Sequence, residues 1–431
     1  MSLRRWLVIA LLTLIGGVIS VSAQDTDLTV DATRSLGAIS PYVYGANYGP
    51  WGIVSIDMQP TAATAGVTHM RFPAGRWGDE HDITEGQLDL FMLQARAWGG
   101  TPSVSVRLED GAPEQAAALV RYANIENDYA IRHWSIGNEP DLFKDYTVEQ
   151  FNTEWRAIAL AMEAVDPSIL LLGPEVSQFP VTVAGDAYTN ARREWVRAFL
   201  QANGDLVDIV AVHRYPFPET MNAPATTIAQ LRANAPEWDT LIDNLRVVMR
   251  EALGRELPIA LTEVNSHWNH VIGGEGTPDS RYHAIWWADV LGRMIRQRVE
   301  IVNYFSLSSF GALGGFGLLD RYKVRPTYYV YQLYQQFGDD LLSSSSSDAD
   351  VTITAARRDD GALTLMIVNR ALEARTLPLT LVGVQFVRTL DAQLFEADQL
   401  SEAIPTLFDG QTVNMPPASI TRLTIAVEDG E

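Results

Sequence analysis

Cysteine is absent from this 431-residue chain. That excludes disulfides, thiolate metal sites and cysteine nucleophiles, and leaves stability to the core. Positive charge is scarce: 32 Lys and Arg stand against 53 Asp and Glu, a net charge of −21. With so little basic surface to neutralise phosphates, nucleic acid is excluded as a partner and polyanionic substrates are disfavoured. No Asn-x-Ser/Thr acceptor occurs. Long apolar runs are lacking apart from Trp6 to Ile19, which is short for a membrane span. Preceded by Arg4 and Arg5 and followed by Val21-Ser22-Ala23, that run reads as a signal peptide over residues 1–23. The alternative is an uncleaved anchor. Cleavage would deliver the chain to a bacterial periplasm or the exterior with no membrane segment left.

What the chain does have is apolar bulk. It is 47% hydrophobic, long enough for a large domain plus an accessory one. Eight short β-rich runs alternate with helical stretches: Tyr44–Tyr48, His69–Pro73, Ser103–Leu108, His133–Glu139, Ile169–Val176, Val207–Tyr215, Ile259–Asn265 and Ile301–Leu307. Amphipathic helices are predicted between them, over Glu114–Tyr122, Val148–Val165 and from Thr277-Pro278 to Ile295. Eight strand–helix units predict an α/β fold, a (β/α)8 TIM barrel over residues 41–340, with a doubly wound sheet as the alternative. After Gly338 the pattern changes. The serine run Ser343–Ser347 reads as a linker, and five strands follow: Val351–Ala355, Leu363–Val368, Thr376–Leu381, Phe386–Leu390 and Ile420–Ala426. They predict a β-sandwich over 341–431. Residues 24–40 carry the strand-like Leu28-Thr29-Val30-Asp31, which would join that sandwich.

Two of the barrel runs end in a glutamate: Trp134-Ser135-Ile136-Gly137-Asn138-Glu139-Pro140 and Leu261-Thr262-Glu263. A carboxylate at the end of a buried strand is costly unless it has a partner or a task. In a barrel, functional residues gather at the C-terminal strand ends. Two carboxyls there suit glycosidic cleavage, one protonating the leaving oxygen and the other attacking carbon or activating water. Arg71 near the end of strand two would keep one acid ionised, and Tyr215 would hydrogen-bond it. His213 shares a strand face with Tyr215. Asn138 would bind the sugar's 2-hydroxyl. Glu175 in Gly173-Pro174-Glu175 is the rival carboxylate, read as ordering a loop or contacting substrate. Trp51, Trp77 and Trp268 follow strands one, two and seven and are candidate sugar platforms. Trp98, Trp155, Trp195, Trp286 and Trp287 read as core.

No cofactor motif and no complete metal-ligand set is present. His267 and His270 lack a third ligand; His69, Asp79, Glu80, His81 and Asp82 offer calcium as a lesser alternative.

These residues resemble clan A of the retaining glycoside hydrolases over residues 41–340. The resemblance implies Glu139 as acid/base, Glu263 as nucleophile, and roles for Arg71 and His213-Arg214-Tyr215. The barrel-plus-sandwich layout is similar to families 39, 51, 44, 30 and 79. Met70-Arg71-Phe72-Pro73-Ala74-Gly75 resembles families 51 and 79. Gly314-Gly315-Phe316-Gly317-Leu318-Leu319 with Arg325-Pro326-Thr327-Tyr328-Tyr329 is similar to family 39, and Ile39-Ser40-Pro41-Tyr42-Val43-Tyr44-Gly45 to family 44. The resemblance implies an arabinofuranosidase or xylosidase acting on plant-type or microbial carbohydrate. An endo-acting glucanase or xylanase and a non-catalytic carbohydrate binder are the alternatives. Strand eight ends Tyr304-Phe305-Ser306, without the platform tryptophan many clan members carry.

Overall fold

The computed structural model describes residues 27–181, 187–220, 223–402 and 407–430; the segment read as a signal peptide lies outside the described residues. A first strand, β1 (Leu28–Ala38), precedes eight parallel strands that close into a barrel in sequence order. These are β2 (Gly45–Asn47), β3 (His69–Phe72), β4 (Thr101–Val106), β5 (His133–Ile136), β6 (Leu170–Val176), β7 (Ile209–Arg214), β8 (Ile259–Val264) and β9 (Ile301–Tyr304). Each of the eight β-rich runs supplies one of them. Helices cover the outside, each burying an apolar stripe. Glu85–Trp98, for example, is opened by a Thr84–Gln87 capping box and closed by left-handed Gly99.

The helix expected to open at Thr277-Pro278 starts later, at Arg281. Ser280 caps it, its side chain accepting from the His283 amide, while Thr277 turns back to bond Gly274 and Asp279. The Glu114–Tyr122 helix runs as Pro113–Val120 and then widens into a π turn over Arg121–Glu126.

Inside the barrel, Leu172, Ile209, Ala211, Ala260 and Ile301 form a small apolar layer with Tyr42 packed against it. His69, His133 and Asn303 form a buried polar set beside it (His69 Nε2 to His133 Nδ1 is 3.2 Å). Burial pushes both imidazoles down, His133 to about 4, so they sit there neutral.

The C-terminal part is one nine-stranded sheet that curls over its own core. Its strands are β10 (Asp340–Ser346), β11 (Val351–Arg357), β12 (Leu363–Asn369), β13 (Arg375–Val382), β14 (Val384–Glu396), β15 (Gln399–Glu402), β16 (Thr412–Met415) and β17 (Ser419–Asp429), plus β1. The order across it is β15-β14-β17-β12-β11-β10-β1-β13-β16. Val30 of β1, Leu377 of β13 and Val413 of β16 share one apolar cluster with Ile353, Leu365 and Leu423, which makes the sheet two-layered, a sandwich. The opposite face of β12, with Met366 and Val368, packs into the barrel's core cluster. That explains why this strand is buried along its whole length rather than on alternate residues.

The serine run is not a linker. It is β10, paired antiparallel to β1 with Val30 opposite Ser344. Composition misled here because serine is short enough to sit in a half-buried strand whose partner, β1, lies more than 300 residues earlier. Across the barrel–sheet junction, buried Asp289 accepts from Thr352 Oγ1 (2.9 Å) and Arg293 Nε (3.2 Å), and Arg370 Nε lies 3.2 Å away. Among the described residues, no helix is long and apolar enough to cross a membrane.

If β10 is structural, proline at Ser344 should be costly. Ser344→Pro is expected to lose about 1–3 kcal/mol in urea denaturation. A change within error would mean that this segment carries no ladder.

Candidate active site

Arg71 is the hub. It rises from β3, fully buried, and its guanidinium reaches four residues. Nη1 donates to Glu263 Oε1 (2.8 Å) and Asn47 Oδ1 (3.1 Å). Nη2 donates to Asn138 Oδ1 (3.0 Å) and lies 3.4 Å from Glu175 Oε2. Asn47 ends the short first barrel strand. It is fixed in turn by donating to the Thr262 and Asn303 carbonyls.

Glu263 sits on β8 with its side chain 5% exposed. Besides Arg71, its Oε1 accepts from the Gly75 amide (2.9 Å), and its Oε2 accepts from Tyr215 OH (2.7 Å). Gly75 has φ +67, a left-handed turn that presents its N–H to the carboxylate. Burial and the nearby Glu263 charge push the Tyr215 phenol well above its ordinary value, so it stays a donor.

Glu139 lies just past the end of β5. Gly137 (φ +81) turns the chain there, and a Cβ at Gly137 would meet Leu108 at 2.6 Å. Asn138 N donates to buried Asp79 (2.8 Å) and Glu139 N to the Glu175 carbonyl (2.9 Å). Glu139 itself has φ +49, and Glu175 has φ +60. A non-glycine residue in that region costs roughly 1–3 kcal/mol and persists where surrounding contacts impose it. The Glu139 side chain is 22% exposed, far more than that of Glu263. Burial pushes its carboxyl up, opposed by the bond to His213.

His213 on β7 joins the acids. Its Nδ1 is 3.1 Å from Glu139 Oε1 and its Nε2 is 2.8 Å from Glu175 Oε2. One carboxylate oxygen each from Glu139 and Glu263 and a nitrogen of His213 lie within 4.8 Å of one another. Such a trio has metal-site spacing, but its imidazole nitrogens and the Glu263 oxygens are already engaged. Both imidazole nitrogens face carboxylates, and both Glu263 oxygens accept hydrogen bonds.

The remaining expected residues distribute as follows. Trp51 and Trp77 line a cavity of about 180 Å³ beside Gly75, with Phe305, His270 and Phe316. Phe305 occupies the place where a platform tryptophan was missing, and Trp51 stacks on it (5.2 Å, 26°). Trp268 does not line that cavity. The residue is 37% exposed, with Nε1 donating to the Pro218 carbonyl (2.8 Å). Buried Arg325 fixes the loop bearing Phe316 by donating to the Gly317, Leu319 and Ser309 carbonyls. His69 is buried within the barrel strands and His81 stacks on Trp77, so the calcium alternative has no converging set. Among the described residues, the trio above is the only such cluster.

Glu175 is fully buried, and its backbone carbonyl orders the turn past β5 by accepting from the Glu139 amide. Two positioning residues escaped sequence reading. Asn47 was legible only as a polar residue in a short buried strand. Asp79 stood out only within the calcium alternative, and nothing local marks it as the acceptor for the Asn138 amide.

This is the setting in which known proteins become informative. A sequence profile described as glycosyl hydrolases family 39 matches residues 120–374. The chain belongs to that family. Among its relatives are a β-xylosidase of Geobacillus stearothermophilus, 24% identical over 56% of this chain and 48% of the relative, and a β-xylosidase of Caldicellulosiruptor saccharolyticus, 22% identical over 60% and 54%. An exo-α-(1→6)-L-arabinofuranosidase of Bifidobacterium longum is 25% identical over 42% and 41%. The family 39 chain thus spans about half the length of the curated relatives it matches. Solved structures with the same fold include a bifunctional glucanase-xylanase from a metagenome library (TM-score 0.72, 16% identity, 94% of this chain and 99% of that one). An α-L-arabinofuranosidase from Thermotoga maritima is another (0.70, 17%, 93% and 99%).

Removing the hub should expose how much it holds. Arg71→Leu leaves Glu175 and Glu263 buried without their cation and is expected to cost about 3–5 kcal/mol in urea denaturation at neutral pH. A loss under about 1 kcal/mol would show that the carboxylates do not need it.

Proposed function

We propose that the chain is a retaining glycosidase that releases a terminal pentose, xylose or arabinofuranose, from plant-type or microbial carbohydrate. The observation that carries this reading is the approach of Glu139 and Glu263 to within 4.8 Å. Direct attack with retention wants carboxyls about 5–5.5 Å apart, whereas inversion leaves room for a water at roughly 6.5–9.5 Å.

Environment assigns the roles. Glu263 is clamped by Arg71, Gly75 and Tyr215, which suits a nucleophile that must attack from a fixed position. Glu139 is more exposed and holds its proton longer, which suits the group that protonates the departing oxygen and later deprotonates water. Asn138 has its carbonyl oxygen engaged by Arg71, so its amide NH2 is the group to donate to a sugar hydroxyl. The cavity walled by Trp51, Trp77 and Phe305 is small beside the ~300–1,000 Å³ of drug-sized sites. That favours one sugar ring over a length of polymer. The names of the family 39 relatives favour a pentose.

Two variants separate the roles. Glu263→Ala is expected to abolish turnover of aryl xylosides and arabinofuranosides. Glu139→Ala should lower kcat/KM by about 10²–10⁴ on poor leaving groups and much less on dinitrophenyl glycosides, which leave without a proton. Equal turnover by wild type and Glu263→Ala would defeat the nucleophile assignment.

Export through residues 1–23 belongs to the same reading, resting on the Arg4–Arg5 pair, the apolar run and Val21-Ser22-Ala23. Amino-terminal sequencing of protein recovered outside the cytoplasm should begin at Gln24. An intact Met1 there would refute it.

A further inference from the structure

Glu175 is a fully buried acid that the two-carboxylate chemistry does not use. Every group around it donates. Ser135 Oγ bonds Oε1 (2.6 Å), Thr262 Oγ1 and His213 Nε2 approach Oε2, and Arg71 stands 3.4 Å off. Burial pushes the carboxyl up, but Arg71, His213 and Ser135 outweigh it and hold it at about 2. With Glu175 permanently ionised, His213 Nε2 must carry a proton. The other nitrogen, Nδ1, faces Glu139 Oε1 at 3.1 Å and Glu263 Oε2 at 3.8 Å. A lone pair there would point at two carboxyls, whereas an N–H would be accepted by them.

We propose that Glu175 is a positioning residue for the reaction: a fixed counter-ion that keeps the His213 imidazole doubly protonated, so that Nδ1–H always donates to Glu139. The idea rests on the glycosidase reading for the task given to Glu139. It answers a specific problem. If Nδ1 were a lone pair, the Glu139 proton would sit on Oε1 and bond to the ring, away from the leaving group. An Nδ1–H donor occupies Oε1 and leaves the proton on the other oxygen.

Charge counting supports the same state. The groups facing the ring are Glu139 after β5, Glu175 on β6 and Glu263 on β8, with Arg71 from β3 and Tyr215 after β7 behind them. Two cations, two carboxylates and one protonated Glu139 sum to zero, which a low-dielectric site favours. In the first displacement, the bond from the anomeric carbon to the departing oxygen breaks and a bond to Glu263 forms. The Glu139 proton moves to the departing oxygen. The negative charge has moved from Glu263 to Glu139, and the sum is still zero. Burial would push the ring's pKa down, yet the Glu263 charge and the bonds to Glu139 and Glu175 raise it to about 10, so the cation persists through neutral pH.

Nitrogen-15 NMR of the full chain labelled at histidine tests this without any substrate, with His213 assigned by its loss in His213→Gln. Both ring nitrogens should be protonated from about pH 5 to 8, and in Glu175→Gln the ring should titrate within that window. The same variant should lose at least about tenfold more kcat/KM on a phenyl glycoside than on a dinitrophenyl one, because acid assistance fails first. A singly protonated His213 in the wild type at neutral pH overturns the proposal. So does a Glu175→Gln variant with wild-type titration and equal losses on both substrates. If Glu175→Gln does not fold, the wild-type spectrum still decides. Failure of the wild type to cleave any glycoside would sink the proposed function while leaving the histidine result readable.

Discussion

A guanidinium buried among carboxyls is the constraint on which this molecule turns. Arg71 has no exposure, and neither does Glu175; Glu263 has almost none. Each alone would be prohibitively expensive away from water. Together they are tolerable, because Asn47 accepts from the guanidinium while Ser135, Tyr215 and Gly75 donate to the carboxylates, leaving Arg71 Nε as the buried donor without a partner. The barrel's shape follows from this need. Six strands, β2, β3, β5, β6, β7 and β8, or the residues just past them, must deliver polar groups to one spot. Only parallel strands around a closed ring bring so many ends together.

Backbone geometry divides the acids into fixed and adjustable. Glu263 stays on its strand, and its side chain is clamped at both oxygens. Glu139 leaves its strand through left-handed Gly137 and takes a left-handed conformation itself. That turn lifts its side chain toward solvent. The strain is held by two backbone donors, Asn138 N on Asp79 and Glu139 N on the Glu175 carbonyl. Glu175 thus supports the acid at both its backbone and, through His213, its side chain. Burial pushes the Asp79 carboxyl up to about 7, so the hinge of this turn changes charge near neutrality.

Much of this was legible in the chain because barrels write local patterns. Each strand is a short apolar run ending in the polar residue it delivers, so Glu139, Glu263, Arg71 and the His213–Tyr215 pair stood out by position. At three strands the end reads two or three residues long; at His133–Glu139 this is because left-handed turns at Gly137 and Glu139 have no strong compositional mark. What failed was whatever depended on distant partners. Ser343–Ser347 is a strand only because β1 lies beside it. Glu175 read as a loop-ordering or substrate-contacting acid, since nothing local reveals that Arg71 and His213 surround it. The missing strand-eight tryptophan was correctly seen, but its replacement by Phe305 stacked under Trp51 joins two ends of the barrel sequence.

The accessory sheet bears on the site through a barrel helix. The helix Arg281–Arg296, which follows β8 and its Glu263, is buried along most of its length because the sheet covers the face a barrel helix normally shows to water. Its buried acid, Asp289, meets Arg370 and Thr352 from that sheet. A helix gripped on both sides cannot slide, and β8 and β9 are packed beneath it. The position of Glu263 is therefore fixed from outside the barrel as well as from within. That gives a physical reason for a small barrel without disulfides to carry a sheet drawn from both ends of its chain.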